Sequence, residues 1–226
     1  MNIRSLSRVT RQGFTIVELL VAIVIMTLMT SILLSKYPEA TMRTALSTAT
    51  NDLVLLLRES QIRGSAIDAI NGSLGGYGVF LSRASSSQVI VFGDRIDPTI
   101  PKPAGVGVGN GIYDTTPVDE IKSVKRLNQG FSYAKLCVTA TSGTPLISAP
   151  YGYVCNDNVY PNIENLTISF TRPSSFAHIY VNNATSTDYS SACIQLYSPK
   201  SPAEGHIRSL TVYHFGMVVA SASPCD

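Results

Sequence analysis

The chain is expected to fold as α+β. One long N-terminal α-helix, membrane-spanning in its first half, would pack by its second half on a C-terminal antiparallel β-sheet head with long loops. Three observations predict this. Phe14 to Leu34 is a predominantly apolar run with one charge, Glu18. Apolar residues then recur at spacings of three and four from Met42 to Leu57. From Ser65 onward, short runs rich in Val, Ile, Tyr and Phe alternate with Gly, Pro, Ser and Asn clusters, which is the pattern of strands and turns.

The first element begins after a basic leader. Residues 1–13 carry Arg4, Arg8 and Arg11 and no acid. A coiled apolar run of ~20 residues matches the hydrocarbon thickness of a bilayer. The cations keep the leader cytoplasmic and send everything beyond about Lys36 outside. Ser31 to Pro38 reads Ser-Ile-Leu-Leu-Ser-Lys-Tyr-Pro, with no small-residue cleavage site, so the run is not an ordinary signal peptide. Glu18 is the anomaly. A carboxylate inside such a segment costs on the order of 2.5–3.5 kcal/mol and usually has a partner. A cut between Gly13 and Phe14 would create one, because the new α-amino group on Phe14 is a natural counter-charge. The pair could form within one helix or between two staggered helices, where it would also set axial register.

Gly13-Phe14-Thr15-Ile16-Val17-Glu18-Leu19-Leu20-Val21-Ala22 resembles the processing and methylation signature of type IV prepilins and type II secretion pseudopilins. The resemblance covers about the first tenth of the chain and implies a pilin-like fold. It also implies that a prepilin peptidase cuts after Gly13, that Phe14 becomes the N-methylated terminus, and that Glu18 is the assembly glutamate. The partners it implies are that peptidase, other pilin-like subunits in a helical filament, an inner-membrane platform protein and an assembly ATPase, with membrane lipid around the helix before assembly.

Pro38 interrupts the helix without having to end it, since proline can kink a helix rather than stop it. Met42, Ala45, Leu46, Ala49, Leu53, Leu56 and Leu57 form one apolar stripe, with Arg43, Asn51, Asp52, Arg58 and Glu59 between them. Gly64 after Arg63 reads as a stop. Phe14 to Arg63 would then be about 75 Å of helix at 1.5 Å per residue. The organisation expected is leader 1–13, transmembrane half-helix 14–37, amphipathic half-helix 38–64 and β-rich head 65–226. A coiled-coil reading of the stripe fails because the spacing lasts only about three turns.

The strands expected in the head are Tyr77–Leu81, Gln88–Phe92, Phe131–Val138, Leu166–Thr171, Ala177–Val181, Ala192–Tyr197, Ser209–Phe215 and Met217–Ala220. The first two should form a hairpin across Ser82–Ser87, and the last two flank Gly216 at a tight turn or bulge. Ile96 to Asp119 is rich in Pro and Gly and reads as a surface loop. Ala140 to Pro161 is a second excursion and carries Cys155. The ending Ile207 to Val219, with Asn51-Asp52-Leu53, Arg58-Glu59-Ser60 and Arg63-Gly64, resembles the minor-pseudopilin H and FimT-like branch. There a strand pair around a late glycine closes the sheet against the helix. Met217 follows the glycine here where that branch often has arginine.

Cys137, Cys155, Cys193 and Cys225 all fall in the part expected outside the membrane, with no C-x-x-C and no histidine at zinc-ligand spacing. In an oxidising compartment they read as two disulfides. Three pairings are possible, and Cys137–Cys155 with Cys193–Cys225 needs the simplest topology. Each bond would contribute about 3 kcal/mol.

No catalytic constellation stands out in residues 65–226. G-x-S-x-G and H-E-x-x-H are both missing, and the glycines of Gly105 to Gly111 do not fit G-x-G-x-x-G. Asp94-Arg95-Ile96-Asp97 lacks the ligand density of a calcium loop. His178, His206 and His214 read as strand-associated surface or satisfied residues. No cofactor and no metal are therefore expected. The net charge of +2 falls to −1 without the three leader arginines, and Lys122, Lys125 and Arg126 form the one basic cluster. Nucleic acid is thus not an expected partner. The sequons at Asn71, Asn165 and Asn183 match a pattern common by chance. The function expected is that of a structural filament subunit of the minor kind. The alternative is a filament-borne binding module, for a surface or for DNA, and an anchored enzyme is a weaker third.

Overall fold

The computed structural model describes residues 13–66, 74–95, 109–115, 120–127, 131–140, 153–156, 163–171, 175–184, 189–197 and 207–225. Helix α1 spans Ile16–Ser65. The chain divides into two compact units, the first ending at Thr41 and the second beginning at Met42. In the first, every described side chain from Gly13 to Ser35 is exposed. A helix apolar all round, with nothing packed on it, needs lipid or other helices as its solvent.

In the second unit the same helix becomes one-sided. Leu46, Ala49, Leu53 and Leu57 are buried, and Met42, Ala45 and Leu56 pack against them. This is the stripe read from the sequence. Among the described residues the unit has ten strands: β1 Leu74–Ser82, β2 Gln88–Arg95, β3 Ile121–Arg126, β4 Ser132–Ala140, β5 Tyr153–Cys155, β6 Asn165–Thr171, β7 Ala177–Val181, β8 Tyr189–Tyr197, β9 Ile207–Tyr213 and β10 Val218–Ser221. They form two five-stranded sheets, ordered β3-β2-β1-β6-β7 and β10-β9-β8-β4-β5. Every pairing is antiparallel. One apolar cluster joins the helix stripe to Val79, Leu166 and Ile168 of the first sheet and to Leu136, Ile194 and Leu210 of the second. Alternation explains the second sheet. Leu210 and Val212 of β9 face that cluster, while Thr211 and Tyr213 between them are only partly buried on the other face.

All eight expected strands are present, and β1–β2 is the expected hairpin, closed by a 3₁₀ turn at Arg83–Ser85. Tyr133 on β4 fastens that turn. Its hydroxyl accepts the Ser82 N–H at 2.8 Å and lies 2.5 Å from the Ser82 carbonyl, to which it donates. Burial pushes the phenol up to about 12, the bond from Ser82 opposing it.

Three expectations need correction. β3 and β5 are not among the expected strands: β3 is an edge strand rich in Lys and Arg, and β5, inside the Ala140–Pro161 excursion, is only three residues long. The Ile96–Asp119 stretch is not all surface. Ile112 and Tyr113 are buried, and the Tyr113 ring packs at a tilt against Phe80 and Phe92, with centroids 4.9 and 5.7 Å away. Residues 96–108 and 116–119 of it, with the glycine run 105–108, lie outside the described residues. Gly64 is not where the helix stops, since α1 continues to Ser65. A Cβ there would come within 2.3 Å of the Phe170 carbonyl oxygen on β6, so the missing side chain lets helix and strand approach. Gly216 does turn the chain, with φ +87 between β9 and β10. Gln61 of the helix donates to its carbonyl and to that of Ser175, both at 3.2 Å.

Candidate functional site

The N-terminal motif sits at a change of backbone state. Gly13, Phe14 and Thr15 precede the helix, and no atom lies within 4 Å of where a Gly13 Cβ would be. The Gly13–Phe14 peptide is therefore in open, non-helical chain, the condition for entry into a protease cleft. The Thr15 hydroxyl accepts the Glu18 N–H at 3.3 Å, and the Thr15 carbonyl accepts the Leu19 N–H at 3.2 Å. Thr15 is thus the N-cap, and Thr15-x-x-Glu18 has the spacing of a capping box. Glu18 lies in the first turn, where the helix dipole favours a carboxylate. The spacing was available in the sequence, but reading Glu18 only as an intramembrane charge hid it.

The rest of the apolar half is built to be inert toward hydrocarbon. Thr27 donates to the Val24 carbonyl at 2.9 Å and Thr30 to that of Met26 at 2.7 Å. Each hydroxyl closes on its own helix, which satisfies it without water. One flank presents the small residues Ala22, Thr27 and Ser31 among larger ones in a shallow groove. Small residues of this kind let a neighbouring helix approach closely. The leader arginines Arg4, Arg8 and Arg11 lie outside the described residues.

In the head, Cys137 is bonded to Cys155 and Cys193 to Cys225, the nearest-neighbour pairing. All four sulfurs form one buried cluster, because Cys137 stands opposite Cys155 on β5 and opposite Cys193 on β8. His178 Nε2 lies 3.0 Å from the Thr171 hydroxyl, and His214 Nδ1 lies 3.2 Å from the Ala177 carbonyl. His206 and Asn71 lie outside the described residues, while Asn165 is partly buried and Asn183 exposed. Lys125 and Arg126 are exposed at the edge strand and Lys122 is partly buried. Among the described residues no three His, Cys, Asp or Glu side chains converge as a metal site.

One titratable group was not singled out by sequence reasoning. Asp94 on β2 is wholly buried, and one of its oxygens accepts the Gly111 N–H at 2.9 Å. Among the described residues the other has no hydrogen-bond partner. Burial is the main cause that pushes Asp94 from 3.8 up to about 7. The Gly111 bond opposes the rise, and the charges of Glu120 and Asp114 add to it. A Cβ at Gly109 would lie 2.2 Å from the carboxyl, so this segment can close over Asp94 only as glycine. Sequence pattern gave no signal for it, since the closing segment is remote and irregular.

An exposed Gly-Phe-Thr segment opens an apolar helix with one early carboxylate, on a chain with a disulfide-bonded sheet head. Residues 8–34 match the family model of the prokaryotic N-terminal methylation motif. That motif is consistent with the type IV prepilin and pseudopilin superfamily, and it implies peptidase processing and pilin assembly. No curated protein and no solved structure matches the chain.

Proposed function

We propose that the chain is a minor structural subunit of a type IV pilus or type II secretion pseudopilus. The observation that carries this reading is the methylation motif at residues 8–34, with its Gly13–Phe14 peptide outside the helix. The precursor waits in the cytoplasmic membrane, N-terminus inside and head outside. Prepilin peptidase removes residues 1–13 and Phe14 is methylated. A platform protein and an assembly ATPase then lift the subunit into a filament, where lipid contacts are exchanged for helix contacts. Glu18 is neutralised there by a Phe14 amine, its own or a neighbour's. Minor status is supported by the length of the connections between strands. The minor-pseudopilin H and FimT-like branch is supported by the Gly216 hairpin, which Gln61 ties to the helix.

Coexpression with a prepilin peptidase tests the reading. Mass spectrometry should find the mature chain beginning at methylated Phe14, and Gly13→Val should leave an uncut precursor. Normal processing of that variant, or exported material beginning beyond Lys36, would refute it. The second reading, a binding module carried on the filament, is favoured by a groove on the head.

A further inference from the structure

The outer face of the second sheet carries a groove of about 1020 Å³, just beyond the roughly 300–1,000 Å³ usual for small-molecule sites. Its floor is β8 and β9, through Ser191, Ser209 and Thr211, and one wall is the C-terminal segment at Ser223 and Pro224. That wall is strapped down. Cys225 is bonded to Cys193, its N–H donates to the Gln195 side chain at 3.0 Å, and its carbonyl lies 3.4 Å from the Lys135 ammonium. At the other end Tyr213 and Phe215 stack with ring centroids 5.3 Å apart, and Phe215 is 56% exposed.

The chemistry of the lining selects among ligands. No Asp, Glu, Lys or Arg is among the described residues that form the groove. Among the described lining residues His214 is the one titratable side chain that could carry positive charge, which is little for the many phosphates of a nucleic acid. The hydroxyls are arranged in pairs. Ser191 donates to Thr139 at 3.0 Å, and the Ser221 and Ser223 oxygens are 2.7 Å apart. A hydroxyl has one donor and two acceptor positions, so each pair keeps capacity for a further partner. An aliphatic ligand would take those hydroxyls from water and leave that remaining capacity unused. A ligand with many neutral hydroxyls satisfies them, and its C–H edges suit the negative face of an aromatic ring.

We propose that this groove binds a neutral oligosaccharide, with Tyr213 and Phe215 as the stacking platform and the strapped C-terminal segment as a preorganised wall. The site does not depend on the filament reading, because it lies wholly in the head.

The test uses the full chain in a zwitterionic detergent, since sugar-headed detergents would compete. Maltoheptaose, cellopentaose and chitin oligomers are the neutral probes, polygalacturonate and chitosan oligomers the charged ones, with saturation-transfer NMR as readout. At least one neutral probe should bind, with an affinity insensitive to salt. Phe215→Ala, at an exposed position, should weaken it by about tenfold or more. Thr211→Arg, which puts a charge on the floor, should abolish it, while Lys125→Ala on the other sheet should leave it unchanged. Failure of every neutral probe would overturn the proposal, as would binding confined to the charged probes or unchanged in both groove variants. Self-association of the chain that Thr211→Arg disrupts, without sugar binding, would overturn it in favour of a second copy as occupant.

Discussion

Replacing Asp94 with asparagine should stabilise the head at about pH 8 and change it little near pH 4. The carboxyl is wholly buried and is pushed from 3.8 up to about 7, chiefly by that burial. Between those values the folded chain holds the proton and the unfolded chain releases it. Stability therefore falls as pH rises through the window and levels off above it. The interval from 3.8 to about 7 corresponds to about 4 kcal/mol at 1.36 kcal/mol per pH unit. That figure is a ceiling, because water entering around the ionised group lowers the cost. Asparagine cannot ionise, yet its carbonyl can still accept the Gly111 N–H. Its amide then faces the orphan oxygen's position, within electrostatic reach of Glu120 and Asp114.

Guanidinium unfolding of the detergent-held chain, disulfides intact, reads this directly. Tyrosine emission is the probe, since the chain has 11 tyrosines and no tryptophan. The wild type should lose midpoint between pH 4 and pH 8 at constant m, and Asp94→Asn should lose markedly less. Equal losses, or a variant less stable than wild type at the higher pH, would refute a protonated Asp94 in the folded head.

Two further substitutions test the packing. Gly64→Ala in a free helix interior should stabilise by up to about 1 kcal/mol. Here the methyl would meet Phe170, so the expected outcome is a loss of about 1–3 kcal/mol in thermal or denaturant unfolding. A gain would mean that helix and β6 are not in contact at that point. Tyr133→Phe removes the acceptor of the Ser82 N–H and the donor to its carbonyl, with an expected loss of about 1–3 kcal/mol. Hydrogen exchange should quicken at Ser82 before it does in β8, and uniform acceleration would argue against a local fastening.

The long helix was legible because both its halves obey a simple period or none. The buried Leu46, Leu53 and Leu57 are the residues that a spacing of three and four selects. Most strands were legible for the same reason, their inward and outward residues alternating against a shared core. β3 was missed because an edge strand needs no apolar face, and it carries Lys122, Lys125 and Arg126 instead. Tyr113 and Asp94 were missed for a different reason. Their burial comes from a segment folding across another in tertiary space, and no local pattern records that. The groove is of the same kind, since Cys225 is held to β8 by the disulfide to Cys193 and the bond to Gln195, which no local pattern records.

Glu18 has two physical roles available, and they can be separated by experiment. As the third residue after the Thr15 cap it stabilises the start of a helix, a local effect worth roughly 0.3–1 kcal/mol. As a carboxylate among apolar neighbours it needs a cation, and a Phe14 amine freed by cleavage is the one that processing would supply. Thr15→Val should remove the cap and keep the charge, while Glu18→Gln keeps a side chain able to complete the capping box and removes the charge. If the charge is what assembly requires, Glu18→Gln should be cleaved normally and enter filaments as poorly as Glu18→Ala. Thr15→Val should then assemble well, with only a frayed first turn. Should Thr15→Val fail and Glu18→Gln succeed, helix initiation rather than charge neutralisation would govern entry into the fibre.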